Sequence, residues 1–102
     1  MTRSATTGDL ARVCKGMANP IRCRILQLLR ARYCSVNELV DELAIEQSKV
    51  SKHLSVLANA GLVHAEVQGR QHCYRLTEPR RIGRVLDSLG ALCQIHDTRS
   101  KP

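Results

Sequence analysis

The stretch "SVNELVDELAIEQSKVSKHLSVLANAGLV", residues 35–63, decides the fold. Ser35 and Glu38 stand three apart ahead of an apolar run. That is the capping-box spacing, in which each side chain satisfies the other's backbone amide. It predicts a short helix from Ser35 to about Leu43. The tight connection "AIEQ" leads into a longer helix over 47–60, stopped by Gly61 as a left-handed C-cap. Val50, Leu54 and Leu57 give that helix one narrow apolar stripe. Otherwise its first two turns are polar: Gln47, Ser48, Lys49, Ser51, Lys52 and His53.

A short helix, a tight turn and a helix with a polar N-terminal half is the helix-turn-helix arrangement. In it the second helix enters the DNA major groove N-terminus first. Gln suits adenine, Lys suits guanine or phosphate, and Ser suits either, so all six polar residues are candidate DNA contacts. Downstream the period changes. "LVHAEV" (62–67) and "HCYRLT" (72–77) are β-compatible runs joined by "QGRQ". Gly69 makes the join a hairpin turn, and Arg70 gives it a basic tip able to reach phosphates or the minor groove. Arg70 is the seventh candidate DNA contact.

Upstream, "NPIRCRILQLLRAR" (19–32) begins a helix with Asn19 as N-cap and Pro20 at the first helical position. Ile21, Ile25, Leu28 and Leu29 share its face, widened by Cys23 and Leu26, which makes it central. Before it, Leu10, Val13, Cys14 and Met17 form a stripe on a first helix that Asp9 can cap. After the hairpin, Thr77 or Glu78 followed by Pro79 opens a last helix. Its stripe is Ile82, Val85/Leu86, Leu89, Leu92/Cys93 and His96. The expected class is mainly α with a β-hairpin wing, a winged helix-turn-helix in the order α-α-α-α-β-β-α. One domain over 9–97 is expected, with a disordered N-terminal tail over 1–8 and a C-terminal tail over 98–102.

Composition agrees. The chain has 102 residues, enough for one core, and a net charge of +7, which favours a polyanionic partner. No apolar run approaches a membrane span or a secretory signal, so a cytoplasmic location is expected. Two tyrosines are the whole aromatic content, which disfavours base stacking on single strands. There is no Gly-rich phosphate loop, no HExxH and no evident nucleophile–base set, so an enzyme is not expected. The rival outside DNA binding is a winged helix used for protein contact.

Three segments resemble the ArsR/SmtB family of winged-helix repressors. "NPIRCRILQLL" is similar to the family's "DPTRLRILELL", "QSKVSKHLSVLANAGLV" to "QSTVSHHLKVLREAGLV", and "GRQHCYRL" to "GRWVYYRL". They run in the family's order over roughly residues 9–95. The resemblance implies a homodimer built by the first and last helices on an inverted-repeat operator. For many members it also implies release by a metal, a metalloid or a thiol oxidant. Gly83 and Gly90, seven residues apart, would let helices approach closely in such a dimer.

Five cysteines with no CxxC pair indicate free thiols, neither a zinc finger nor a thioredoxin-type site. Cys23 replaces a core leucine. The arsenic-sensing branch carries "CVC" at the start of the short helix, at positions that are Ser35 and Asn37 here. Cys34 falls one residue early, where it can staple against Leu39. His72 and Cys73 are strand neighbours and point to opposite faces. His64 reads as a strand-surface residue. Cys93 and His96 share a helical face and are metal candidates like the pair of the zinc-sensing branch, but that branch's other two ligands fall at Arg80 and Ile82. The persulfide-sensing branch's partner thiol falls at Gln27. Cys14 and Cys93 lie on the two helices expected at the dimer interface, so they are the candidate effector-sensing pair for a metalloid, a polysulfide or an oxidant. No cofactor is required. A repressor without a cysteine effector remains the alternative.

Overall fold

The computed structural model describes residues 4–95. Its elements are α1 (Thr7–Met17), α2 (Pro20–Ala31), β1 (Cys34–Ser35), α3 (Val36–Leu43), α4 (Gln47–Asn59), β2 (Val63–Gln68), β3 (Gln71–Leu76) and α5 (Pro79–Ile95). The expected helices and hairpin appear in the expected order, with two differences.

The first concerns the N-terminus. α1 starts at Thr7, so residues 7 and 8 are helical instead of belonging to a tail. Thr6 is the N-cap: its hydroxyl accepts from the Asp9 amide, and the Asp9 carboxylate accepts from the Thr6 amide. Asp9 thus completes a capping box from the third helical position, where its charge also favours the helix N-terminus.

The second is a third strand. β1 is two residues long and pairs antiparallel with β3, Cys34 opposite Tyr74 and Ser35 opposite Cys73, giving the sheet order β1-β3-β2. Ser35 therefore ends a strand and caps α3 at once, its hydroxyl accepting from the Glu38 amide. The wing is consequently tied through β3 to the helix-turn-helix and does not hang free.

The core is a single cluster. Ile25, Leu26 and Leu29 of α2 meet Leu39 of α3, Val50, Leu54 and Leu57 of α4, Leu62, Val63 and Leu76 around the sheet, and Ile82 of α5. Cys34 and Leu39 are both buried, as the staple requires. α3 ends at Ala44 with φ of +55°, a left-handed conformation that turns the chain sharply toward α4. Gly61 at +78° does the same after α4, where the left-handed backbone suits only glycine readily. α1 is half-committed: Val13 and Met17 pack on the core, and Gly16 is buried against Ala60 and Leu62, whereas Leu10 and Cys14 are exposed.

Candidate nucleic-acid interface

α4 is fastened by one stripe. Val50, Leu54 and Leu57 are essentially fully buried, so the opposite face must look outward. Gln47, Ser48, Lys49, Ser51 and Lys52 are all exposed on it, and the first turn holds no acidic residue. The N-cap is Glu46, which makes no side-chain capping bond; its carbonyl accepts from the Lys49 and Val50 amides. The helix start is therefore not covered by a local capping side chain and carries positive partial charge outward.

The wing lies beside it. β2 and β3 pair up to Gln68 opposite Gln71, leaving Gly69 and Arg70 as a two-residue turn. Gly69 has φ of +63° and Arg70 is not left-handed, the pattern of a type II′ hairpin turn. Arg70 is exposed at the tip. Gln47, Arg70, Gln71 and His72 line one cleft of about 250 Å³ together with Ser35, Val36 and Asn37 at the start of α3. The N-terminal ends of both helices of the helix-turn-helix and the wing tip thus converge on a single concave, basic-edged surface. Sequence reasoning did not find Asn37, Gln71 and His72 in this cleft, because only the β1–β3 pairing brings that strand against α3.

His53 departs from its neighbours. It is half-buried, and its Nδ1 lies 3.2 Å from the Nη1 of Arg22. A guanidinium only donates, so Nδ1 is the acceptor and the ring is neutral with its proton on Nε2. Burial, and then the charge of Arg22, lowers the His53 pKa. Arg22 donates also to the carbonyls of Gly16, at 2.8 Å from Nε, and Lys15, at 3.0 Å from Nη2, near the end of α1. One guanidinium therefore braces α1 and α2 against α4, and His53 belongs to that brace. Nothing in one dimension signals a partner 31 residues away.

The cysteines divide sharply. All five are free; Cys34 and Cys73 are buried, Cys23 is half-buried, and Cys14 and Cys93 are exposed. Burial raises the Cys34 pKa despite the nearby Arg32, so its thiol stays protonated and unreactive. The half-buried Cys23 lies outside the core cluster, where core packing was expected; its thiol donates to the Met17 carbonyl at 2.9 Å. Cys73 is buried and His72 exposed, the opposite-face arrangement expected on β3. His64 is exposed and pairs with Glu66 at 3.0 Å. Cys14 sits on α1 and Cys93 on α5, and within one chain nothing bonds them. His96 lies outside the described residues. Among the described residues, no three His, Cys, Asp or Glu side chains are grouped to hold a metal, and no helix is long and apolar enough to cross a membrane.

Comparison with known proteins decides the family. The family model "Bacterial regulatory protein, arsR family" matches residues 19–65, which run from the cap of α2 into β2. The HTH-type transcriptional regulator CmtR of Mycobacterium bovis is 40% identical over 86 residues, spanning 84% of this chain and 70% of that protein. The chain belongs to the ArsR family. The crystal structure of Rv0081 from Mycobacterium tuberculosis superposes with a TM-score of 0.79 at 34% identity, over 94% of this chain and 98% of that one. The NMR structure of the cadmium metal-sensor CMTR from Mycobacterium tuberculosis gives a TM-score of 0.67 at 41% identity, over 78% of this chain and 81% of that one. As a member of the ArsR family the chain is a winged-helix, DNA-binding transcriptional regulator and not an enzyme.

Proposed function

We propose that this ArsR-family regulator is a cytoplasmic homodimeric repressor that occupies an inverted-repeat operator and is released by a thiol-reactive effector. The observation that carries the DNA reading is the convergence of Gln47 and Arg70 on one cleft, beside the exposed Ser48, Lys49, Ser51 and Lys52. Gln47, Ser48 and Ser51 supply donors and acceptors for base edges; Lys49, Lys52 and Arg70 supply charge for phosphates or guanine. His53 contributes by holding α4 against Arg22.

The dimer reading rests on apolar surface that one chain leaves open. Val85, Leu89 and Leu92 are 42%, 44% and 51% exposed on α5, and Leu10 is 59% exposed on α1. A second copy covers such stripes and places two reading helices about one DNA turn apart. Bound on the operator, the dimer occludes polymerase.

The effector reading rests on exposure. Cys14 and Cys93 are the two exposed cysteines, and they lie on the two helices assigned to the dimer interface. Two thiolates there can bind a soft metalloid with a third donor, or join through a disulfide or polysulfide bridge. Either changes the spacing of the reading helices. Resemblance to a cadmium sensor adds a second reading, in which Cys93 and His96 hold a metal completed by donors of the other subunit. Operator affinity before and after arsenite, polysulfide, peroxide or cadmium separates them. Loss of affinity that Cys14→Ser and Cys93→Ser both abolish supports the thiol pair. Loss on cadmium alone, abolished by Cys93→Ser and His96→Ala but not Cys14→Ser, supports the metal. Unchanged affinity throughout identifies a regulator without a cysteine effector.

A further inference from the structure

α5 leaves the body of the domain early. Ile82 and Gly83 are buried and Leu86 is half-buried, but residues 87–94 are all exposed. The helix is thus attached through its first two turns and projects as a rod. Ile82, 5% exposed in the core, is one attachment point. Leu86, one turn on, packs against the same core, but apolar contacts of this kind are non-directional and hold the angle of the rod only loosely.

The second attachment is polar and directional. Arg30, in the last turn of α2, donates from Nη1 to the Oδ1 of Asp87 at 2.7 Å and from Nη2 to Oδ2 at 2.9 Å. Such a two-pronged pair fixes orientation as well as distance. Gly83 lies one turn before Asp87 on the same face, and the guanidinium rests against it. A Cβ on Gly83 would sit 3.0 Å from the Arg30 Nε, 3.1 Å from Nη2 and 3.2 Å from Cζ. Gly83 therefore does not serve the approach of a second copy, as its spacing from Gly90 suggested. It makes room for Arg30, while Gly90 faces open space.

We infer that Arg30, Gly83 and Asp87 form a latch that sets the angle of α5 and so selects the spacing between operator half-sites. The inference rests on the proposed dimer through α5. Its leverage is geometric. At 1.5 Å per residue the rod runs roughly 18 Å beyond Gly83, so a swing of about 10° moves its end by about 3 Å. That is close to the roughly 3.4 Å rise of one base pair. Arg30 and Asp87 are positioning residues, since neither lies at the cleft assigned to DNA.

The test uses the full chain and an inverted-repeat duplex obtained by selection, remade with one base pair removed from or added to its centre, and a duplex with one half-site. Wild type, Asp87→Asn, Asp87→Glu and Gly83→Ala are compared, with thermal melts as a control for folding. Asp87 is exposed and alanine is the better helix former, so all three variants should fold. Asp87→Asn and Gly83→Ala should lose about three- to tenfold in preference for the native spacing over its neighbours. Their single half-site affinity should be unchanged, and Asp87→Glu, which keeps a carboxylate for Arg30, should restore much of the preference. Variants that fold and keep the wild-type spacing profile would overturn the latch alone. A wild type indifferent to spacing would overturn the dimer reading and the latch together.

Discussion

At the scale of single residues, the cap of α3 holds a measurable share of the stability: Ser35→Ala removes the hydroxyl that accepts from the Glu38 amide and should cost about 1 kcal/mol in chemical denaturation, with the slope m unchanged. Ser35 with Glu38, Asn19 with Pro20, and Gly61 and Gly69 each act within four positions, which is why such short-range chemistry is legible in the sequence. The Thr6–Asp9 box is equally local, but its carboxylate is the stronger capping signal and masks the threonine. The bond from Arg22 to His53 had no local signal, because the two sit on different helices. It has a consequence for pH. The folded His53 pKa lies below its ordinary 6.5, so between the two values the unfolded chain binds more protons than the native state. The stability it contributes is complete above about pH 6.5 and is lost as pH falls through the folded pKa. Melting temperature should fall between about pH 7.5 and 5.5, and fall less in His53→Gln, whose amide cannot take up the proton. Equal slopes for the two proteins would show that the ring bears no such load.

At the scale of elements, the periodicity of α4 carried most of the information. One stripe of three apolar residues fixed which face is buried and, by exclusion, which face is open to solvent and available to the proposed DNA contact. Lys49→Ala and Lys52→Ala should each weaken operator binding and reduce the salt dependence by about one released ion. Variants that bind with an undiminished salt slope would move those lysines off the phosphates. β1 has no signal in the sequence because two residues make no periodic pattern; only their pairing with β3 defines them as a strand. That pairing brings the wing against α3 and builds the cleft with Gln47 and Arg70. α5 was legible as an apolar helix, but not as one held by Arg30, since a charged residue in the last turn of α2 has many solvated alternatives.

At the scale of the molecule, one chain leaves a row of apolar side chains on α5 and Leu10 on α1 in water. A dimer through those helices makes stability depend on protein concentration, because the partner binds only the folded state. Leu89→Lys should lower the apparent mass in sedimentation to that of a monomer and cost operator affinity, while helix content by circular dichroism holds. A variant that remains dimeric would place the interface elsewhere. The same geometry frames the central claim, that two copies of α4 and its wing read double-stranded DNA together. Selection of duplexes from a random pool by the purified, reduced protein tests it most directly. The account predicts enrichment of an inverted repeat with half-site centres about 10 base pairs, or a multiple of one turn, apart. Recovery of no sequence, with no duplex affinity even at low salt, would contradict it.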